Sequence, residues 1–129
     1  MKHAYLAIKF HPNHKNKKLI EELSKNIELT GYKTTVMVRD FEEWGKISFT
    51  AKQLMSLTFK EISKSDILII EFSEKGVGLG IEAGYAFAKK IPIIVIAKEG
   101  SDISNTLKGI ASKIIFYITP KDITKSLGE

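Results

Sequence analysis

Two short segments of the chain are apolar almost without a break, "DILIIEF" at 66–72 and "IPIIVIA" at 91–97. Strands that face solvent on one side alternate apolar and polar residues. An unbroken apolar run of strand length belongs to a strand covered on both faces, as in a parallel sheet. Pro92 falls at the start of its run, where a strand tolerates it. Segments of helical period stand between such runs. In "NKKLIEELSKNIELTG", Leu19, Ile20, Leu23 and Ile27 recur at helical spacing, and Gly31 is placed to stop the helix.

The same reading extends along the chain. "AYLAIKF" (4–10), "YKTTVMVR" (32–39) and "KIIFYI" (113–118) read as three further strands. "DFEEWGKISF" (40–49) reads as a loop, and "TAKQLMSLTFKEISKS" (50–65) as a helix capped by Thr50. "GIEAGYAFAKK" (80–90) reads as a helix. "SDISNTLKGIA" (101–111) is a short one capped by Ser101 or Asp102. "TPKDITKSL" (119–127) is a last helix with Thr119 as N-cap and Pro120 at N1. Five strands alternating with helices predict a single α/β domain over 1–129. It is a flavodoxin-like doubly wound parallel sheet of order 2-1-3-4-5. Ligands of such sheets bind at the carboxyl ends of the strands, where the order reverses. Here that means the ends of strands one and three, "KFHPNH" and "FSEKGVGLG".

Composition narrows the function classes. With 129 residues there is room for one core, and 43% apolar with 27% charged residues is ordinary for a globular protein. No apolar run approaches the roughly 20 residues of a membrane helix. The Lys-rich start does not read as a signal peptide. The chain has no cysteine, which excludes disulfides and thiolate metal sites, and a cytoplasmic location is expected. The net charge of +5 invites a nucleic-acid reading, but Arg39 is the only arginine and the lysines are scattered. Base and phosphate recognition favour arginine, so a nucleic-acid partner is not expected. His11 and His14 lie three apart without a matched carboxylate, and no metal site is expected.

The turn after the third strand carries the chemistry. Gly78, Gly80 and Ala83 match the spacing of a dinucleotide fingerprint. That fingerprint belongs after the first strand, however, and Glu82 would repel a pyrophosphate. Two readings remain from the residues alone. In one, the glycines serve a tight turn, Gly84 admits close helix–sheet packing, and Glu82 is a first-turn acid favoured by the helix dipole. In the other, bare backbone lets a ligand approach, and Glu82, held ionised by the dipole, is a nucleophile for an anomeric carbon.

"SDILIIEFSEKGVGLGIEAGYAFAKKIPIIVI" (65–96) resembles the nucleoside 2-deoxyribosyltransferase superfamily, most of all its small 2'-deoxynucleoside 5'-monophosphate N-glycosidases. The Gly-x-Gly-x-Glu-x-Gly-x-Ala run falls on Gly78, Gly80, Glu82, Gly84 and Ala86. The resemblance implies cleavage or transfer at the N-glycosidic bond of a nucleoside or nucleoside 5'-monophosphate, with no cofactor. It also implies a homodimer with a shared active site. It places the nucleophile on Glu82, a pocket aromatic on Tyr5, and groups lent by the other subunit near Ser104 and Asn105. The family's phosphate or 5'-hydroxyl subsite falls near Lys9, His11 and His14. Two positions depart from the pattern. Thr58 stands where an acid is expected near the nucleophile, and Gly76 stands where a Ser or Asp opens the glycine turn. Backbone N–H groups there would form a nest for an anion. Asp40, Glu42 and Glu43 are the candidates to replace the missing acid, while Phe41 and Trp44 either cap a base or anchor their loop. A non-catalytic nucleotide-binding module on the same fold is the alternative function.

Overall fold

The computed structural model describes residues 1–128. Its elements run β1 (Lys2–Ala7), α1 (Lys17–Glu28), β2 (Tyr32–Thr35), α2 (Met37–Asp40), a 3-10 turn (Glu43–Gly45) and α3 (Ala51–Ser63). There follow β3 (Ile67–Glu71), α4 (Val77–Ala88), β4 (Ile93–Lys98), α5 (Asn105–Lys108), β5 (Lys113–Tyr117) and α6 (Lys121–Leu127). All strand pairings are parallel, in the order β2-β1-β3-β4-β5, as expected. The order reverses between β1 and β3, whose pairing runs from Ala4 with Ile67 to Ala7 with Ile70.

Every residue of β3 is buried, which is the physical meaning of its unbroken apolar run. The pleat divides each strand between two cores. Ala4, Leu6, Ile67 and Ile69 face the layer that holds Ile20, Leu23 and Ile27 of α1 and Ile123 of α6. Tyr5, Ala7, Leu68 and Ile70 face the layer that holds Ile62 of α3 and Leu79, Ala83 and Ala86 of α4. The period of two in β1 therefore commits Tyr5 to the α3–α4 side. There α3 and α4 lie together, with Phe59 stacked on Tyr85 at a centroid distance of 4.3 Å.

Several boundaries differ from the sequence reading. Only residues 32–35 of the second segment form strand, and Met37–Asp40 turn into a helical turn. The Asp40 carboxylate stops the strand by accepting the Val36 N–H at 2.8 Å. The α3 cap is as expected, since Thr50 and Gln53 form a reciprocal capping box. The short helix α5 is preceded by Ser104, not by Ser101 or Asp102. Pro120, not Thr119, precedes α6, and Asp122 holds its entry by accepting from the N–H groups of Ile118 and Thr119. Gly31, at φ +103°, ends the turn after α1 in the left-handed conformation that glycine tolerates best. No helix of the described residues is long and apolar enough to cross a membrane.

Candidate functional site

The glycine-rich stretch is helix, not loop. Gly76 is the N-cap of α4, and the helix runs from Val77 through Gly78, Gly80 and Glu82. None of these glycines has a positive φ. A Cβ on Gly78, Gly80 or Gly84 would meet nothing within 4 Å. Tight turning and close packing on the sheet are therefore not why they are glycines, and no backbone nest forms. What they do is leave the surface of the first turns of α4 bare. Any donors available to an anion at this point are the unpaired N–H groups of a helix start.

Glu82 consequently lies in the second turn of α4, not the first. The dipole acts chiefly within the terminal turn. Burial is what governs Glu82 instead, pushing its carboxyl up from the ordinary 4.5 to about 7. The expectation of a dipole-stabilised, fully ionised acid is thus corrected. Although the residue keeps some exposure, its Oε2 is buried and meets no hydrogen-bond partner among the described residues. An unsatisfied buried oxygen of this kind costs about 1–3 kcal/mol, a cost that a ligand can relieve.

The residue itself lines a cavity of about 480 Å³ at the switch point. Tyr5, Lys9, Thr58, Gly76, Gly78 and Glu82 all line it, as does Glu42. Phe10, Met37, Leu54, Met55 and Leu79 supply an apolar wall. Tyr5 and Thr58 are each only 2% exposed. Burial raises the Tyr5 phenol far above its ordinary range, the Glu82 charge adds to this, and the neighbouring Thr58 hydroxyl opposes it. Tyr5 is therefore a fixed O–H donor at neutral pH. One volume thus holds a carboxyl of near-neutral pKa, a protonated phenol, a buried hydroxyl and a lysine at its rim.

Other expected site residues fall elsewhere. His11 does not line this cavity. Its Nε2 pairs with Glu74 Oε1 at 2.9 Å, in a separate hollow of about 230 Å³ shared with Lys9, Lys15 and Lys98. This pairing lowers the Glu74 carboxyl. His14 lies edge-on to Phe10, and His3 hydrogen bonds Thr35 Oγ1. Trp44 packs against Phe10 and under the Lys17 ammonium, so it anchors its loop and does not face the Glu82 cavity. Phe41 packs against the α3–α4 core. Ser104 borders a second cavity, of about 510 Å³, with Gly80 and Gly84 on its wall, while Asn105 is exposed and borders neither.

Among the three acids of residues 40–43, the structure separates clear roles. Asp40 is occupied by the Val36 N–H and by Arg39, and the Arg39 guanidinium also reaches Ser24 and the Thr34 carbonyl. Glu43 is exposed. Glu42 alone lines the cavity, and burial raises its carboxyl.

The sequence reading missed the group that fixes the strand ends. Glu71, 4% exposed, accepts the Ser73 N–H and Oγ–H at 2.7 Å each and the Tyr117 hydroxyl. The Lys98 N–H donates to Ser73 Oγ at 2.8 Å. The turn leading to α4 is thereby tied to β4 and β5. The signal was available, since Glu71 is the only charged residue inside the apolar run that follows Asp66.

Fold and cavity together define a class: a doubly wound, flavodoxin-like domain with a carboxyl–phenol pocket at its switch point. Solved structures of similar fold include the CMP N-glycosidase BcmB of Clostridium botulinum, which is 23% identical with a TM-score of 0.70 over 98% of each chain. A 2-deoxyribosyltransferase of Bacillus psychrosaccharolyticus is 15% identical, with a TM-score of 0.72 over 95% of this chain and 90% of that one. A 2-deoxyribosyltransferase of Leishmania mexicana is 17% identical, with a TM-score of 0.61 over 83% and 77%. Likeness at these identities is likeness of fold. No protein-family model matches the chain, and no curated protein sequence matches it.

Proposed function

We propose that the protein is an enzyme of N-glycosidic bonds, cleaving or transferring the base of a nucleoside or nucleoside 5'-monophosphate through a glycosyl-enzyme on Glu82. The observation that carries this reading is that Glu82, whose buried Oε2 has no hydrogen-bond partner among the described residues, lines the switch-point cavity with Tyr5. The Gly-x-Gly-x-Glu run and the shared fold with a CMP N-glycosidase and two deoxyribosyltransferases support it.

In this reading the sugar lies against the bare first turns of α4, where Gly78 leaves open space. The Tyr5 hydroxyl orients Glu82 or the sugar by donating a hydrogen bond. The apolar wall from Phe10 to Met55 receives the base. Lys9 and the start of α4 face a 5'-phosphate. Ionised Glu82 attacks C1', and water or a second base releases the sugar. A cytoplasmic location suits such substrates.

A homodimer completes the proposal. Val77 is 83%, Ile81 48% and Phe87 57% exposed on α4, with Gly80 and Gly84 bare beside them. A helix with so much exposed apolar surface is suited to a partner. In such a dimer Ser104 and Asn105 would serve the neighbouring subunit's cavity. Sedimentation of the native chain and of Phe87→Glu tests this, a monomer in both contradicting it.

Incubation with deoxynucleosides and their monophosphates, followed by chromatography for free base, tests the activity. Released base that disappears in Glu82→Ala supports the proposal. Ligands that raise the melting temperature while no base is ever released would mark a nucleotide-binding module instead.

A further inference from the structure

We infer that Glu42 is the second catalytic carboxyl of this site, the acid that protonates the departing base and then the base that activates water. The inference rests on the reading of Glu82 as nucleophile.

The placement of Glu42 is built, not incidental. Its N–H donates to the Met37 carbonyl, and its own carbonyl accepts from the N–H groups of Gly45 and Ile47, so its backbone is held at three points. The three residues that follow are all left-handed, Glu43 at φ 45°, Trp44 at φ 60° and Gly45 at φ +97°. Two of them are not glycine, and such strain persists only where surrounding contacts fix it. The Trp44 contacts with Phe10 and Lys17 supply that restraint. The result presents Glu42 to the cavity while Glu43 is left in solvent.

Chemistry selects the same residue. Breaking C1'–N leaves an electron pair on the base, which needs a proton. The groups facing Glu42 across the cavity are Tyr5 and Lys9 from β1 and the loop after it, Thr58 from α3 and Glu82 from α4. Tyr5 holds its proton, Thr58 is no acid, Glu82 is the nucleophile, and Lys9 stands exposed at the rim. The Tyr5 phenol also feels the Glu42 charge, which places that carboxyl near the reacting groups. Two carboxyls in one site, one attacking and one donating, is the standard arrangement for retaining glycoside chemistry.

The step balances. A Glu82 oxygen bonds to C1' as C1'–N breaks, and the Glu42 proton passes to the base nitrogen or oxygen. Water then bonds to C1' as the Glu82 ester bond breaks, and its proton returns to Glu42.

The test is a series of deoxynucleosides whose bases leave with increasing ease, ending in an N7-methylated purine or a 5-nitropyrimidine. Glu42→Gln is expected to lower kcat about 10²- to 10⁴-fold on ordinary substrates. On the most activated bases the loss shrinks to a few-fold, and added formate restores part of the rate to Glu42→Ala. The native profile of kcat/KM against pH falls on its alkaline side, and Glu42→Gln loses that fall. An equal loss across the series, no loss at all, or an unchanged alkaline limb overturns the role of Glu42. Glu82→Gln, measured alongside, separates the two claims. If it is inactive on every substrate while Glu42→Gln behaves as native, only Glu42 falls. If Glu82→Gln keeps native rates, or the native enzyme releases no base, both fall.

Discussion

Tyr5 and Glu82 line one cavity, and the Glu82 charge makes the Tyr5 phenol harder to ionise. The Glu82 charge is second only to burial in raising the Tyr5 phenol. The pair is set by topology: the pleat of β1 turns Tyr5 toward α3 and α4, and the second turn of α4 brings Glu82 to it. Tyr5→Phe keeps the shape and removes the only phenolic donor of the cavity. A loss of kcat of roughly 10- to 100-fold with an unchanged fold is expected, matching the removal of one hydrogen bond to a charged group. Steady-state kinetics and circular dichroism of the variant check it.

The raised Glu82 carboxyl has a consequence for stability. The folded protein binds its proton up to about pH 7, while the unfolded chain releases it near 4.5. Between these values the native state holds more protons, so stability falls as pH rises through that window and stays lower above it. Glu82→Gln removes the effect. It should be more stable than the native chain at pH 8 by about 3 kcal/mol, with the gap closing as pH falls from 7 to 4.5. Urea unfolding at pH 4 and pH 8 measures both, and a pH-independent gap would count against a buried acid.

Glu71 predicts a purely structural effect. Tyr117→Phe deletes one of the three donors to a buried carboxylate. The expected cost is about 1.5–3 kcal/mol, the range for a hydrogen bond to a charged group. Thermal unfolding would show it, and it should exceed the effect of Tyr85→Phe on the partly exposed face of α4.

Thr58→Asp tests why an acid is absent at that position. The site is 2% exposed and beside both Tyr5 and Glu82, so a second buried carboxylate would be unpaired. It should destabilise the fold and push the Glu82 carboxyl above 7, visible as an alkaline shift of its titration by carboxyl NMR. A Glu82 titration that stays put would show that the two groups do not communicate.

The fold was legible because its determinants are local. Buried runs such as "DILIIEF" and the spacing of Ile20, Leu23 and Ile27 are read directly from the chain, and strand order follows from alternation. Glu82 and Tyr5, which a motif and a strand position single out in the sequence, line one cavity. What escaped reading depended on contacts across the chain. Glycines at 76, 78 and 80 read locally as a turn, yet Gly76 caps α4 and Gly78 and Gly80 lie inside it. Local rules register the helix dipole at Glu82 but not the burial that raises its carboxyl. His11 was drawn to Glu74, 63 residues away. Choosing Glu42 over Asp40 and Glu43 required the left-handed backbone at 43–45.

The most direct test of the account is to catch the intermediate. The protein is mixed with a deoxynucleoside, quenched in acid within a turnover, and its mass is read intact and after proteolysis. The account predicts one deoxyribosyl adduct on the peptide containing Glu82, absent from Glu82→Gln. Base release with no adduct, or an adduct on another residue that persists in Glu82→Gln, would contradict it.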